Sequence, residues 1–295
     1  MKLSARCIRC LIDRQEEKIS RIEDEGQKAS YLKEVAGVIA NASEEASVPY
    51  LVYEINKVYR QCFGELPDYK EEKKAFNRLM LELEPELEAE IHSGKDADEV
   101  FENALNYART GNYIDYGAMN HVEKETLFDL LKKAKGEEVD RRAYERLREE
   151  LGQAREVVYL LDNCGEIVAD KLFMKVMKEQ YPHIHITAMV RGMPALNDAV
   201  AQDAWEVGIA EVADILGNGN GVAGTQLNLL SAEALDAVNR ADVIVSKGQG
   251  NFETLHGCGR NIYYLFLCKC DWFTKRFGME RLKGVFVNER DISVS

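Results

Sequence analysis

Val157-Val158-Tyr159-Leu160-Leu161, followed at once by Asp162-Asn163-Cys164-Gly165-Glu166, is the stretch on which the reading of this chain turns. A continuous run of five apolar residues closed by a polar, glycine-bearing turn reads as a strand buried on both faces. Working outward, Ile184-His185-Ile186-Thr187-Ala188-Met189-Val190 reads as the next strand and Val243-Ile244-Val245-Ser246 as a third. Ile262 to Leu267 and Val285-Phe286-Val287 are two more. Helical patterns lie between them, Leu227 to Asn239 among these. Strands separated by helices require right-handed crossovers and a helix-covered parallel sheet. Residues 151–295 are therefore predicted to form a Rossmann-like, mostly parallel α/β domain.

The first half has another texture. Residues 1–150 are rich in Glu, Lys, Leu and Ala, and apolar side chains recur at helical spacing, as in Ile12, Ile19 and Ile22, then Tyr31, Leu32, Val35, Val38 and Ile39. This half is predicted to be an all-helical domain. Lys70 to Ile91 is one of its amphipathic helices, with Pro85 expected to break or restart it.

The 295 residues are 46% hydrophobic, enough for a substantial core. Asp and Glu number 51 against 38 Lys and Arg, a formal charge of -13. That field argues against nucleic acid or an anionic membrane as the main partner, but local cations and a metal can still hold a small anion. No run reaches the roughly 18 apolar residues of a membrane span, and the charged start MKLSARCIRCLIDRQEEK lacks a signal peptide's apolar stretch. A cytoplasmic protein with reduced thiols is the expectation.

In open parallel sheets ligands gather beyond the carboxyl ends of the strands, so the residues just after each strand carry the chemistry. Asp162 and Asn163 offer hard oxygens suited to magnesium, manganese or a similar ion, and Asn197-Asp198, after Arg191-Gly192-Met193-Pro194, repeats the pairing. Helix capping is the plain alternative for both pairs. In Gly217-Asn218-Gly219-Asn220-Gly221-Val222-Ala223-Gly224-Thr225 backbone N–H groups are free to converge on an anion, with the Thr225 hydroxyl beside them; a connecting loop is the alternative. Ser246-Lys247-Gly248-Gln249-Gly250-Asn251-Phe252-Glu253 ends a buried strand with a lysine that can face a phosphate, with a surface lysine as the alternative. Gly248 and Gly250 allow close backbone approach, and Glu253 is expected to orient Lys247 or to bind outer-shell water.

Cys7 and Cys10 have C-x-x-C spacing, and Cys268 and Cys270 have C-x-C spacing; together they offer a structural metal site if the ends of the chain meet. Ordinary buried thiols are the alternative. No histidine spacing of a zinc hydrolase and no G-x-S-x-G elbow occurs.

These motifs resemble the damage-control phosphatase family. The resemblance rests on Asp162-Asn163-Cys164-Gly165-Glu166, on Asn197-Asp198 after a Gly-x-Pro turn, and above all on Lys247-Gly248-Gln249-Gly250-Asn251. Gly111-Asn112-Tyr113-Ile114-Asp115 also looks like a family segment, and Cys7/Cys10 is similar to the prokaryotic subgroup. The resemblance implies a helical domain packed on a Rossmann-like domain, with Asp162, Asn163 and Asp198 as metal ligands and Lys247 as phosphate anchor. It also implies cleft positions for Asn112 and Asp115. Asn218, Thr225, Gly248 and Glu253 complete the expected substrate surroundings.

The expected activity is metal-dependent hydrolysis of small phosphate esters, sugar phosphates or damaged phosphometabolites, with manganese, magnesium, cobalt or nickel. Water or Asp162 is the attacking group, and the motifs do not separate them. The rival readings are an S-adenosylmethionine-dependent carboxyl methyltransferase and a phosphometabolite-binding protein without turnover. No G-x-G loop follows the first strand, which weighs against the former. The helical half has enough amphipathic surface for a homodimer.

Overall fold

The structure, a computed structural model, describes residues 3–111, 113, 127–129, 131–132 and 136–292. Six helices open the described chain: α1 (Ala5–Lys18), α2 (Glu25–Ala40), α3 (Val48–Phe63), α4 (Lys70–His92), α5 (Ala97–Thr110) and α6 (Arg141–Gln153). Five of them begin on a side chain that satisfies a free backbone donor. Ser4, Asp24, Ser47, Asp96 and Asp140 accept from the N–H groups of Cys7, Gln27, Tyr50, Glu99 and Ala143.

Pro85 does not break α4, contrary to expectation. It lies on the exposed face, where water replaces the hydrogen bond its ring forgoes, while Phe76, Met80, Leu83, Leu87 and Ile91 stay buried along the other face.

The second half runs β1 (Glu156–Leu160), α7 (Glu166–Gln180), β2 (His185–Val190), α8 (Ala201–Glu206), β3 (Asp214–Gly217), α9 (Ala232–Arg240), β4 (Val243–Lys247), α10 (Gly248–Leu255), β5 (Ile262–Leu267), α11 (Asp271–Phe277) and β6 (Gly284–Asn288). The sheet order is β3-β2-β1-β4-β5-β6, parallel except for the last pair. The expected mixed α/β fold with a mostly parallel sheet is what forms. Strand β3 escaped the sequence reading because Asp-Ile-Leu-Gly is a short edge strand with only two large apolar residues. The helical pattern from Leu227 is split: a 3-10 turn covers Leu227–Leu229, and α9 restarts where Ser231 caps the Ala234 N–H.

Val157 and Tyr159 enter one apolar cluster while Val158 and Leu160 enter another, so β1 is covered on both faces. That is why its sequence shows no alternation. The first cluster also takes Met80, Leu83, Phe101, Leu105 and Leu147 from α4, α5 and α6. The core therefore crosses the boundary drawn from sequence at 150/151, which falls within α6. Helices α1–α3 close a smaller cluster of their own around Leu11, Tyr31, Val35, Leu51 and Ile55. No helix among the described residues is long and apolar enough to cross a membrane.

The strand order reverses between β1 and β4, and the crevice beyond their carboxyl ends is the position where such sheets bind ligands. At the opposite end His185 ties the starts of three strands, with Nδ1 3.0 Å from Glu156 Oε2 and Nε2 2.8 Å from Asp214 Oδ2. The hydrogen bonds to Glu156 and then Asp214 hold its pKa above the usual range. A raised imidazole stabilises the fold fully below its unfolded pKa, and that contribution is lost as pH rises through the folded value. With the side chain half exposed, the gain is about 0.5 kcal/mol. Denaturant melts of wild type and His185→Gln should differ at pH 5 and converge by pH 9.

Candidate active site

Two polar pairs at neighbouring strand ends are brought together. Beyond β1 the chain is zipped to the segment after β2: Ala199 N–H donates to Asp162 O at 2.8 Å and Cys164 N–H to Asn197 O at 2.9 Å, and Asn163 bridges Asp198. Neither pair caps a helix. Helix α7 starts at Gly165, whose own N–H donates to Asn77 Oδ1 of α4 at 2.6 Å. Helix α8 starts at Val200, whose N–H donates to Asp203 Oδ2 at 2.8 Å. The carboxylates of Asp162 and Asp198 are thereby left for other work.

Both face Arg191, which is 2% exposed. Its Nε donates to Asp198 Oδ2 at 2.6 Å and its Nη2 to Asp162 Oδ1 at 3.2 Å. Asn163 Nδ2 donates to Asp162 Oδ2 at 2.7 Å and to Glu166 Oε2 at 3.3 Å. Burial, followed by the charges of Asp198 and Glu166, pushes the Asp162 pKa well above the carboxylate range, opposed by Arg191 and Lys269.

A hard divalent cation fits this arrangement. Crowded, desolvated carboxylates are relieved by such an ion, and carboxylate and amide oxygens are the donors it prefers. Among the described residues no three His, Cys, Asp or Glu side chains gather in a metal-ligating group.

Gly248 owes its place to this site. Its φ is +79°, and a Cβ there would lie 2.1 Å from Asp162 Oδ2. The absent side chain makes room for the Asp162 carboxylate. Lys247 just before it is wholly buried, with Nζ 2.6 Å from both Glu166 Oε1 and Asp170 Oδ1, and Tyr159 Oη donates to Asp170 Oδ1 at 2.8 Å. The Lys247 charge is thus met by Glu166 and Asp170, and Glu166 in turn accepts from Asn163.

Thr225 is also interior, its hydroxyl donating to Asn251 Oδ1 at 2.8 Å. Asn218 Oδ1 accepts from the N–H groups of Gly192 and Asn220, shaping the glycine-rich loop from within. That loop commits the N–H groups of Asn218, Asn220, Val222, Gly224 and Thr225 to protein acceptors. Glu253 does not orient Lys247. Burial raises its pKa to about 7, opposed in part by the charge of Arg14 of α1.

Asn112 and Asp115 lie outside the described residues. Gly111, which leads into them, packs on α7, where a Cβ would sit 3.4 Å from Glu166 Cγ. The four paired cysteines do not assemble a metal site. Cys10 and Cys270 are exposed, whereas Cys268 is buried in the apolar cluster beneath β5.

The sequence reading missed four contributors. Arg191 and Lys269 were passed over as loop residues. Lys73, 2.5 Å from Asp203 Oδ2, and Asn77 brace both ligand loops from the helical half. Their signal was available: Lys73 and Asn77 are polar residues on the buried face of α4.

The chain resembles known proteins along most of its length. The model of the damage-control phosphatase ARMT1-like domain matches residues 3–283. A damage-control phosphatase of Archaeoglobus fulgidus is 33% identical over 284 residues, 95% of this chain and 96% of that protein. One of Pyrococcus horikoshii is 30% identical over 196 residues, 64% of this chain and 67% of the relative. The crystal structure of a DUF89 family protein from Pyrococcus horikoshii superposes with a TM-score of 0.82 at 24% identity, covering 98% of this chain and 99% of that one.

Proposed function

The chain belongs to the damage-control phosphatase ARMT1-like domain family, and from that premise we propose that it hydrolyses small phosphate monoesters with a divalent cation held by Asp162, Asn163 and Asp198. The observation that carries the reading is the convergence of two buried carboxylates from adjacent strand ends at the switch point of the sheet, with neither used as a cap.

A bound cation would polarise a phosphoryl oxygen and offset charge developing in the transition state. The chain's own groups do the rest. Asp162 and Asp198 would hold the cation, with Asn163 adding a neutral oxygen. Lys269, half-buried after β5, acts on the charge of Asp162, and this supports reading it as the cation that meets the phosphate. Its backbone N–H donates to Gln249 Oε1 at 2.6 Å, which ties it to α10. Lys247 balances Glu166 and Asp170 beneath the site, keeping Glu166 on Asn163. Sugar phosphates and damaged phosphometabolites are the substrate class, and water is favoured over Asp162 as the attacking group, because Asp162 is committed to the cation.

The test is phosphate release from sugar phosphates, nucleotides and p-nitrophenyl phosphate. Metal-stripped protein is assayed with magnesium, manganese, cobalt or nickel restored. Turnover should return with metal, and Asp198→Asn, which keeps an oxygen but loses the charge, should lower it by about 10- to 100-fold. Metal binding without phosphate release from any substrate would sink the enzyme reading and leave a binding protein.

A further inference from the structure

Arg191 is more than a counter-charge to the two proposed ligands. Its guanidinium touches four separate segments of the chain. One edge is divided between Asp198 Oδ2, 2.6 Å from Nε, and Asp162 Oδ1, 3.2 Å from Nη2. On the other side Nη1 donates to Gly224 O of the glycine-rich loop and to Asn251 Oδ1 of α10, each at 3.1 Å. The ion cannot drift, because both its surroundings and its own backbone are fixed. Asn251 is held by Thr225 Oγ1 and donates to Leu161 O and Lys247 O. Arg191 N–H donates to Ala199 O at 2.9 Å, next to Asp198.

A guanidinium is planar and rigid, so the spacing of its donors dictates the spacing of the oxygens that meet them. It engages one oxygen of each carboxylate. Its one positive charge is shared between two carboxylates, so what distinguishes it from a point charge is the edge it presents. A lysine would bring the same charge without the edge.

We propose that Arg191 is the positioning residue of the metal site: it sets the separation and orientation of the Asp162 and Asp198 carboxylates before any cation arrives, and couples them to the glycine-rich loop and α10. The inference rests on the metal-site reading above. It makes a claim about sign. If Arg191 acted only as a charge, its removal would free two carboxylates and tighten cation binding. If it acts by geometry, removal weakens binding.

The experiment titrates manganese alone into metal-stripped wild type, Arg191→Lys and Arg191→Ala, by calorimetry, with circular dichroism as the check of folding. Each titration is repeated with guanidinium added. Both variants should bind manganese about 10- to 100-fold more weakly than wild type. Guanidinium should recover most of that loss in Arg191→Ala, whose cavity admits it, and none in Arg191→Lys. Unchanged or tighter binding in either folded variant overturns the proposal, as does a folded Arg191→Ala that guanidinium fails to restore. Failure of both variants to fold overturns it too, since Arg191 is then needed for folding itself. A wild-type protein that binds no manganese instead removes the metal-site reading, an outcome separate from all of these.

Discussion

Gly248→Ala is expected to lower metal-dependent phosphate release by about 1000-fold, since a displacement of only 1 Å at a reacting centre already costs about 100-fold. The new Cβ would stand 2.1 Å from Asp162 Oδ2 and 2.3 Å from its Cγ. Asp162 cannot swing aside, because Arg191 and Asn163 hold its two oxygens. Either the carboxylate leaves the ligand position or the junction of β4 and α10 bends, carrying Lys247 with it. The left-handed φ of +79° adds strain of its own. Together these should cost about 2–4 kcal/mol of stability.

Gly257→Ala separates the two effects. Its φ is +89°, yet nothing lies within 4 Å of the added Cβ. That variant should lose about 1 kcal/mol and keep its turnover. Wild-type turnover in Gly248→Ala would show that Asp162 does not need the space the glycine leaves.

Lys247→Met should destabilise the protein by about 3–5 kcal/mol, the usual result of stripping the partner from a buried charge. Two carboxylates would be left without their cation in a site with no access to water. Asp170 is already the weaker member: burial raises its pKa to about 7 even with Lys247 beside it, and its Oδ2 has no hydrogen-bond partner among the described residues. Adding Asp170→Asn to Lys247→Met should recover part of the loss, because one of the stranded charges is gone. Thermal melts of the single and double variants measure this directly. A lysine that met the phosphate from the cleft would behave differently: the melting temperature of Lys247→Met would hold and KM would rise.

Much of the fold was legible because its signals are local. The continuous apolar runs at Val157–Leu161 and Ile262–Leu267 are long enough for strands and too short for helices, and their lack of alternation already implied cover on both faces. Strand β3 was not legible, since an edge strand of four residues buries too little to leave a pattern. Pro85 misled the reading because its cost depends on exposure, which spacing does not carry. The candidate site was legible in part: Asp162 and Asn163 follow β1 directly and Asp198 lies in the segment after β2, on the side where a parallel sheet presents its ligands.

By itself, then, the sequence determined the parallel sheet, the polar pairs at its carboxyl edge and the glycine beside Lys247. Only the tertiary structure decided what each long side chain meets. Lys247 turned inward because Glu166 and Asp170, one helical turn apart on α7, converge under β4. Arg191 became the clamp because the segment after β2 folds back along the end of β1. Lys73 and Asn77 entered the site because α4 packs against α7 in the core shared by both halves. Spacing along a chain constrains neighbours within one element. The reach of a lysine or arginine exceeds that range, so its partner is chosen by which elements the core brings side by side.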